Sequence, residues 1–101
     1  MEIIDWIQDW FKGNCDGHWE QGEAFQITTL DNPGWELEID VSNTSLAMIS
    51  IPWILNENSK DDWYGVKIEN QRFSASGDAG KLKFLLGLFR ETVEKIEAMD
   101  A

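Results

Sequence analysis

Asp31-Asn32-Pro33-Gly34-Trp35-Glu36-Leu37-Glu38-Ile39-Asp40-Val41 is the stretch that decides the fold, because a turn signal runs directly into strict alternation. Pro33 and Gly34 predict a type II turn, since Pro fixes φ at the first corner and Gly accepts a positive φ at the second. The alternation then puts Trp35, Leu37, Ile39 and Val41 on one face of a strand, and Glu36, Glu38 and Asp40 on the other. The segment predicts a hairpin with one core face and three carboxylates that point to water.

Two amphipathic helices are predicted at the ends of the chain. Residues 2–12 repeat apolar side chains at helical spacing, and so do residues 79–99. Asp78 is the expected N-cap of the second helix. These apolar positions are Ile3, Ile4, Trp6, Ile7, Trp10 and Phe11 in the first helix and Leu82, Leu85, Leu86, Phe89, Val93 and Ile96 in the second.

Strands are predicted between the two helices, at residues 24–30, 35–41, 46–55, 63–69 and 72–76. The almost continuously apolar run 46–55 predicts a strand covered on both faces. A polar loop is expected at 56–62 and a tight turn at Asn70-Gln71. The expected fold is α+β: an N-terminal helix, an antiparallel sheet of about five strands in a meander, and a C-terminal helix. Both helices lie on one sheet face, within a single domain over 1–101.

The charge of the chain limits its partners. Its 101 residues include 19 acidic and 8 basic side chains, a net charge of −11. That balance argues against nucleic acid and anionic membranes as partners, because both recruit Lys and Arg. It favours a protein partner with a basic surface, and a charge that serves solubility alone is the alternative. Without a basic leader or a long apolar run, the sequence predicts a cytoplasmic protein.

The loop Cys15-Asp16-Gly17-His18-Trp19-Glu20 contains the side chains with the most reactive chemistry. A thiolate beside a histidine suggests a nucleophile or a zinc site. One Cys and one His are too few for a structural zinc site, and Asp16 and Glu20 would raise the pKa of the Cys15 thiol. We therefore expect no catalytic residue, no metal and no cofactor here.

The three carboxylates of the alternating strand are candidates for partner binding. Glu36 and Glu38 lie about 7 Å apart on a strand, within the range of an inverting glycosidase pair. An open sheet face, however, lacks the apolar pocket that such a pair needs. The remaining interpretations are a solvated strand face and a docking surface for a basic protein. Trp63 shares its outward parity with Lys67 and Glu69, so it is predicted to anchor such an interface.

Several short motifs, in this order and spacing, resemble the immunity protein 53 family of bacterial polymorphic toxin systems. They are Trp6-Ile7-Gln8-Asp9-Trp10-Phe11, the loop from Cys15 to Glu20, and Thr29-Leu30-Asp31-Asn32-Pro33-Gly34-Trp35. Within them, Trp19-Glu20 and Pro33-Gly34-Trp35 match the family signatures. His18 departs from the family, which tends to have an acidic residue at this position.

The resemblance implies a non-catalytic, cytoplasmic α+β protein that binds and neutralises a cognate toxin domain. Together with the charge, it predicts a toxin with a basic surface, contacted by Glu36, Glu38, Asp40 and Trp63. The signature residues Trp19, Glu20, Pro33, Gly34 and Trp35 are expected to be structural, with Glu20 accepting hydrogen bonds from the loop backbone. Two alternatives stay open: a small cysteine-dependent, sulfurtransferase-like enzyme, and a ligand-binding module that uses the open sheet face.

Overall fold

The computed structural model describes residues 1–99 and contains two helices and five strands. A 3-10 turn at Trp19–Gln21 follows the first helix. In chain order the elements are α1 (Ile3–Asn14), β1 (Phe25–Leu30), β2 (Gly34–Asp40), β3 (Ile51–Ser59), β4 (Asp62–Glu69), β5 (Arg72–Asp78) and α2 (Leu82–Met99).

The five strands form one antiparallel sheet in the order β1-β2-β5-β4-β3. Two meandering runs, β1-β2 and β3-β4-β5, are joined where β2 pairs with β5. Leu37 lies opposite Ala75 in that pairing, and Ile39 lies opposite Phe73. The predicted α+β class and the five-stranded sheet are confirmed, and β1 and β3 are the two edges.

Both helices cover the same face of the sheet, as the sequence predicts. The alternating strand β2 contributes Leu37 and Ile39 to the core, and both are fully buried. Phe89 of α2 inserts between the sheet and α1. The centroid of its ring lies 4.8 Å from that of Trp10 and 5.0 Å from that of Phe73. The buried core consists of Leu37, Ile39, Val41, Leu46, Ile68, Phe73, Ala75, Leu85, Leu86, Phe89 and Val93.

The predicted strand over 46–55 and the predicted loop over 56–62 are both wrong in their bounds. Residues 42–49 form consecutive turns, in which the Thr44 hydroxyl donates to the Val41 carbonyl oxygen at 2.8 Å. Leu46 is buried from within these turns. An apolar run alone does not distinguish a buried strand from a turn that buries one side chain. β3 begins later, at Ile51, and continues to Ser59. It lies at the sheet edge and its residues 52–59 are exposed, so the prediction of a strand covered on both faces is also wrong.

The predicted type II turn at Pro33-Gly34 and the predicted N-cap at Asp78 are also wrong. The Asn32–Pro33 peptide bond is cis, and Gly34 opens β2 without a positive φ, so the turn is not type II. Asp78 does not cap α2; its carbonyl oxygen accepts from the Lys81 N–H at 3.0 Å, which closes a turn before the helix begins. The turn at Asn70-Gln71 is confirmed, with φ values of 54° and 61°.

Candidate functional site

The sheet face opposite the helices carries all four predicted partner-binding residues. Glu36, Glu38 and Asp40 alternate with the core residues of β2 and form what we call the acidic row. Across β5 lie Ser76, Ser74 and Arg72, in register with the three carboxylates. Trp63 on β4 has the same outward parity as Lys67, which pairs with Ser74. The register thus puts Trp63 and the acidic row on one face, two strands apart.

The acidic row is only partly free. Glu38 accepts a hydrogen bond from the Ser74 hydroxyl at 2.7 Å and lies 3.4 Å from the Arg72 Nε. Asp40 accepts the Ser42 N–H at 2.9 Å, which fixes the turn after β2. Among residues 1–99, no side-chain hydrogen bond or ion pair engages Glu36. Glu36 is therefore the member of the row with its full hydrogen-bonding capacity available.

An apolar patch lies on the same face as the acidic row, separated from it by β5. The apolar patch consists of Trp53, Leu55 and Trp63. Leu55 pairs with Gly65 of β4, and the ring of Trp53 lies over that glycine. A Cβ at Gly65 would collide with the Trp53 ring, so the glycine leaves room for it. Leu55 and Trp63 also line an open groove of about 370 Å³, together with Asn32, Glu57 and Lys60.

A network of charged side chains holds the backbone of Trp63, one of the residues that line the groove. Asp78 is buried, and its Oδ2 accepts from the Trp63 N–H at 3.0 Å and from the Lys81 Nζ at 2.7 Å. Lys81 also contacts Asp62 at 2.7 Å. The bond from Lys81, followed by the backbone bond from Trp63, lowers the pKa of Asp78 to about 2. The same contacts raise the pKa of Lys81. Trp63 is thus held at its backbone by an ionised carboxylate.

We expect Asp78→Asn to lower the midpoint of thermal unfolding at pH 7, because the amide loses the charge-assisted bonds to Lys81 and Trp63. The pKa of Asp78 is lowered in the folded chain from the ordinary value of 3.8 to about 2, so the stabilisation by its carboxylate is present above pH 4 and is lost towards pH 2. The difference in unfolding midpoint between wild type and variant should therefore become smaller as the pH falls from 4 to 2, which thermal scans at several pH values would show. Asp61→Asn, at an exposed neighbouring carboxylate, is the control and should show no such difference.

The signature pair Trp19-Glu20 organises the loop after α1. Glu20 accepts from the Asp16 N–H at 3.0 Å and from the Gly17 N–H at 2.9 Å. Backbone N–H groups, its own first and then that of Asp16, lower the pKa of Glu20. Trp19 is buried against the Trp10 ring at 5.6 Å, and its Nε1 donates to the Asp40 carbonyl oxygen at 3.1 Å. This pair therefore connects α1 to the end of the acidic row.

The second signature, Pro33-Gly34-Trp35, joins β2 to the end of β5. A Cβ at Gly34 would collide with the carbonyl oxygen of Gly77, so the close approach of the two strands requires glycine there. The Trp35 Nε1 donates to the Ala79 carbonyl oxygen at 2.9 Å. Gly34 and Trp35 thus contact the end of β5 and the residue after it, whereas Pro33 is exposed.

Cys15 is exposed, and its Sγ donates to the Phe11 carbonyl oxygen at 3.2 Å. Partial desolvation, followed by the charges of Glu20 and Asp16, raises the pKa of the Cys15 thiol. The surroundings of this cysteine thus favour the thiol over the nucleophilic thiolate at neutral pH. In the part of the chain that the structure describes, no three His, Cys, Asp or Glu side chains are arranged to hold a metal ion.

Sequence reasoning missed the contribution of β3 to the outer face. The apolar run 46–55 gave Trp53 no defined parity, because residues on both sides of it are apolar. The signal that could have placed it is Gly65, a glycine inside an otherwise alternating strand, which marks the close approach of another group.

Comparison with known proteins gives one result. The model of the family described as Immunity protein 53 (Imm53) matches residues 4–94. The match spans both signatures, all five strands and most of α2. No curated protein and no solved structure matches the chain. Neither α1 nor α2, as far as Met99, has the length and apolar character needed to cross a membrane.

Proposed function

Since the chain belongs to the immunity protein 53 family, we propose that it binds and neutralises a cognate bacterial toxin domain, without catalysing a reaction. The partner is a domain with a basic surface from a polymorphic toxin system. Binding takes place in the cytoplasm of the cell that makes both proteins, and it blocks the active site or the substrate-binding surface of the toxin.

The observation that carries this proposal is the sheet face opposite the two helices, with its two kinds of side chain. The acidic row supplies negative charge for a basic partner, and long-range attraction of this kind raises association rates. Trp63 supplies a large, partly apolar anchor, the type of residue that dominates binding energy in interfaces. Its backbone is already fixed by Asp78, so less conformational entropy is lost when a partner covers it.

A growth assay tests the proposal. The toxin domain encoded beside the gene for this chain is expressed from an inducible promoter, alone or together with the chain. We expect the domain alone to stop growth and co-expression of the chain to restore it. Rescue should require complex formation, so the two proteins should co-purify at equal stoichiometry. Continued growth arrest, with both proteins present at comparable levels, contradicts the proposal.

Replacing the exposed thiol separates binding from cysteine chemistry. We expect Cys15→Ser to protect cells as well as the wild type does, because an interface on the sheet face does not use Cys15. The stability of the variant should change by less than about 0.5 kcal/mol, as is typical of surface substitutions. Loss of protection by a folded Cys15→Ser protein would instead favour a cysteine-dependent activity.

A further inference from the structure

The edge strand β3 is unusually open for an element of a folded sheet. Within residues 1–99 it pairs with β4 along one side only, and each residue from Pro52 to Ser59 is exposed. Trp53, Ile54 and Leu55 keep 47%, 47% and 51% of their surface accessible. Leu55 points to the outer face, and Ile54, opposite Val66, points to the helix side. The strand therefore offers apolar side chains on both faces beside an unpaired backbone edge.

Part of β3 is protected against indiscriminate pairing, and part is not. Pro52 lacks an N–H, and shifts in register fall between Ile51 and Ile54 and between Glu57 and Ser59. Proline and bulges at an edge are known means of blocking strand addition. Between these irregular points, Ile54 to Glu57 pair with β4 in unbroken register. This short regular stretch is the part of the edge that another strand can join.

The geometry points to β-strand addition: an extended segment of the toxin domain pairs with β3 along residues 54–57 and packs apolar side chains on Trp53, Ile54 and Leu55. This inference rests on the proposed function and names the docking element of that interface. In such recognition, main-chain hydrogen bonds give affinity and alternate side chains give specificity. The added strand would lie next to the apolar patch at the sheet edge, so one partner covers both the patch and β3.

Charge identifies the occupant. A second copy of this chain would bring together two proteins that each have a net charge of −11. A segment that contains Lys or Arg is instead attracted, and exposed Glu57 at the end of the regular stretch is placed to pair with it. The occupant is therefore a basic, partly apolar segment of the toxin domain.

The chain provides a matched pair of variants for the test. Ile54 on β3 and Ile27 on β1 have the same residue type, the same 47% exposure and the same sheet face, but they lie on opposite edges. Ile54→Lys and Ile27→Lys therefore add the same charge. With the adjacent-gene toxin domain as the probe, we expect Ile54→Lys to raise Kd by about tenfold or more and Ile27→Lys by less than about twofold. Calorimetry gives Kd, and circular dichroism confirms that both variants fold.

Hydrogen exchange on the wild-type complex tests the same inference without a variant. The amides of residues 54–57 that point away from β4 should exchange more slowly when the toxin domain is bound. Equal affinities for the two lysine variants, or unchanged exchange along β3, would overturn strand addition while leaving the proposed function intact. A wild-type dimer that Ile54→Lys converts to a monomer would also overturn it, because the edge would then belong to a second copy. If the wild type does not bind the domain, the proposed function itself fails.

Discussion

Neutralising the acidic row with the triple substitution Glu36→Gln, Glu38→Gln and Asp40→Asn is expected to slow association with the toxin domain by about tenfold or more at low salt. The amides keep the shape of the side chains, and at position 38 the oxygen can still accept from the Ser74 hydroxyl. The loss therefore comes mainly from charge. Stopped-flow measurements at several salt concentrations should also show that the association rate of the variant depends less steeply on salt.

A matched control separates local from overall charge. Glu91→Gln, Glu94→Gln and Glu97→Gln remove the same number of charges from exposed positions on α2, away from the sheet face. We expect this variant to associate at close to the wild-type rate. Equal slowing by both triple variants would mean that the net charge steers the encounter and that the acidic row has no special role.

Truncating the central ring of the core should have the largest effect on stability. We expect Phe89→Ala to lower the free energy of unfolding by about 3–5 kcal/mol, because it removes a large buried side chain and leaves a cavity. Phe89 is fully buried and contacts aromatic rings from both α1 and the sheet. Urea unfolding followed by tryptophan fluorescence measures the change. Because native domains are stable by only about 5–15 kcal/mol, this loss removes a large share of the total stability.

Phe84→Ala on the same helix is the control. Phe84 keeps 44% of its surface exposed and packs on the Tyr64 ring at a centroid distance of 4.6 Å. Its loss should cost less, on the order of 2 kcal/mol, because the aromatic pair contributes about 1 kcal/mol and only about half of the side chain is buried. Similar losses for Phe84→Ala and Phe89→Ala would contradict the position of the core between α1, α2 and the sheet.

The alternation in residues 35–41 correctly predicted the orientation of β2, because burial of one face leaves a single register for a strand. The helical spacing around Trp10 and Phe89 likewise predicted the two helices, and the packing of two amphipathic helices on one sheet predicted that both cover the same face. These elements are predictable since each contains its own periodic signal. The outward orientation of Trp63 was also predictable from the alternation within β4. Because β4 and β2 both pair with β5, Trp63 lies on the same face as the acidic row.

Features that depend on contacts between distant segments were not predictable. Gly34 is required by the carbonyl of Gly77, more than forty residues away, and a local reading mistook it for a turn glycine. β3 is apolar yet exposed, because its position at the edge is decided by which strands β5 pairs with. The partner bonds of Glu38 depend in the same way on Arg72 and Ser74, which join β2 only in the folded sheet.

Titration of the purified chain with the purified toxin domain, followed by calorimetry and by an assay of toxin activity, tests the central claim most directly. The account predicts a saturable 1:1 complex and a loss of toxin activity that is complete at one equivalent of the chain. An absence of binding, or binding that leaves the toxin fully active, would contradict it.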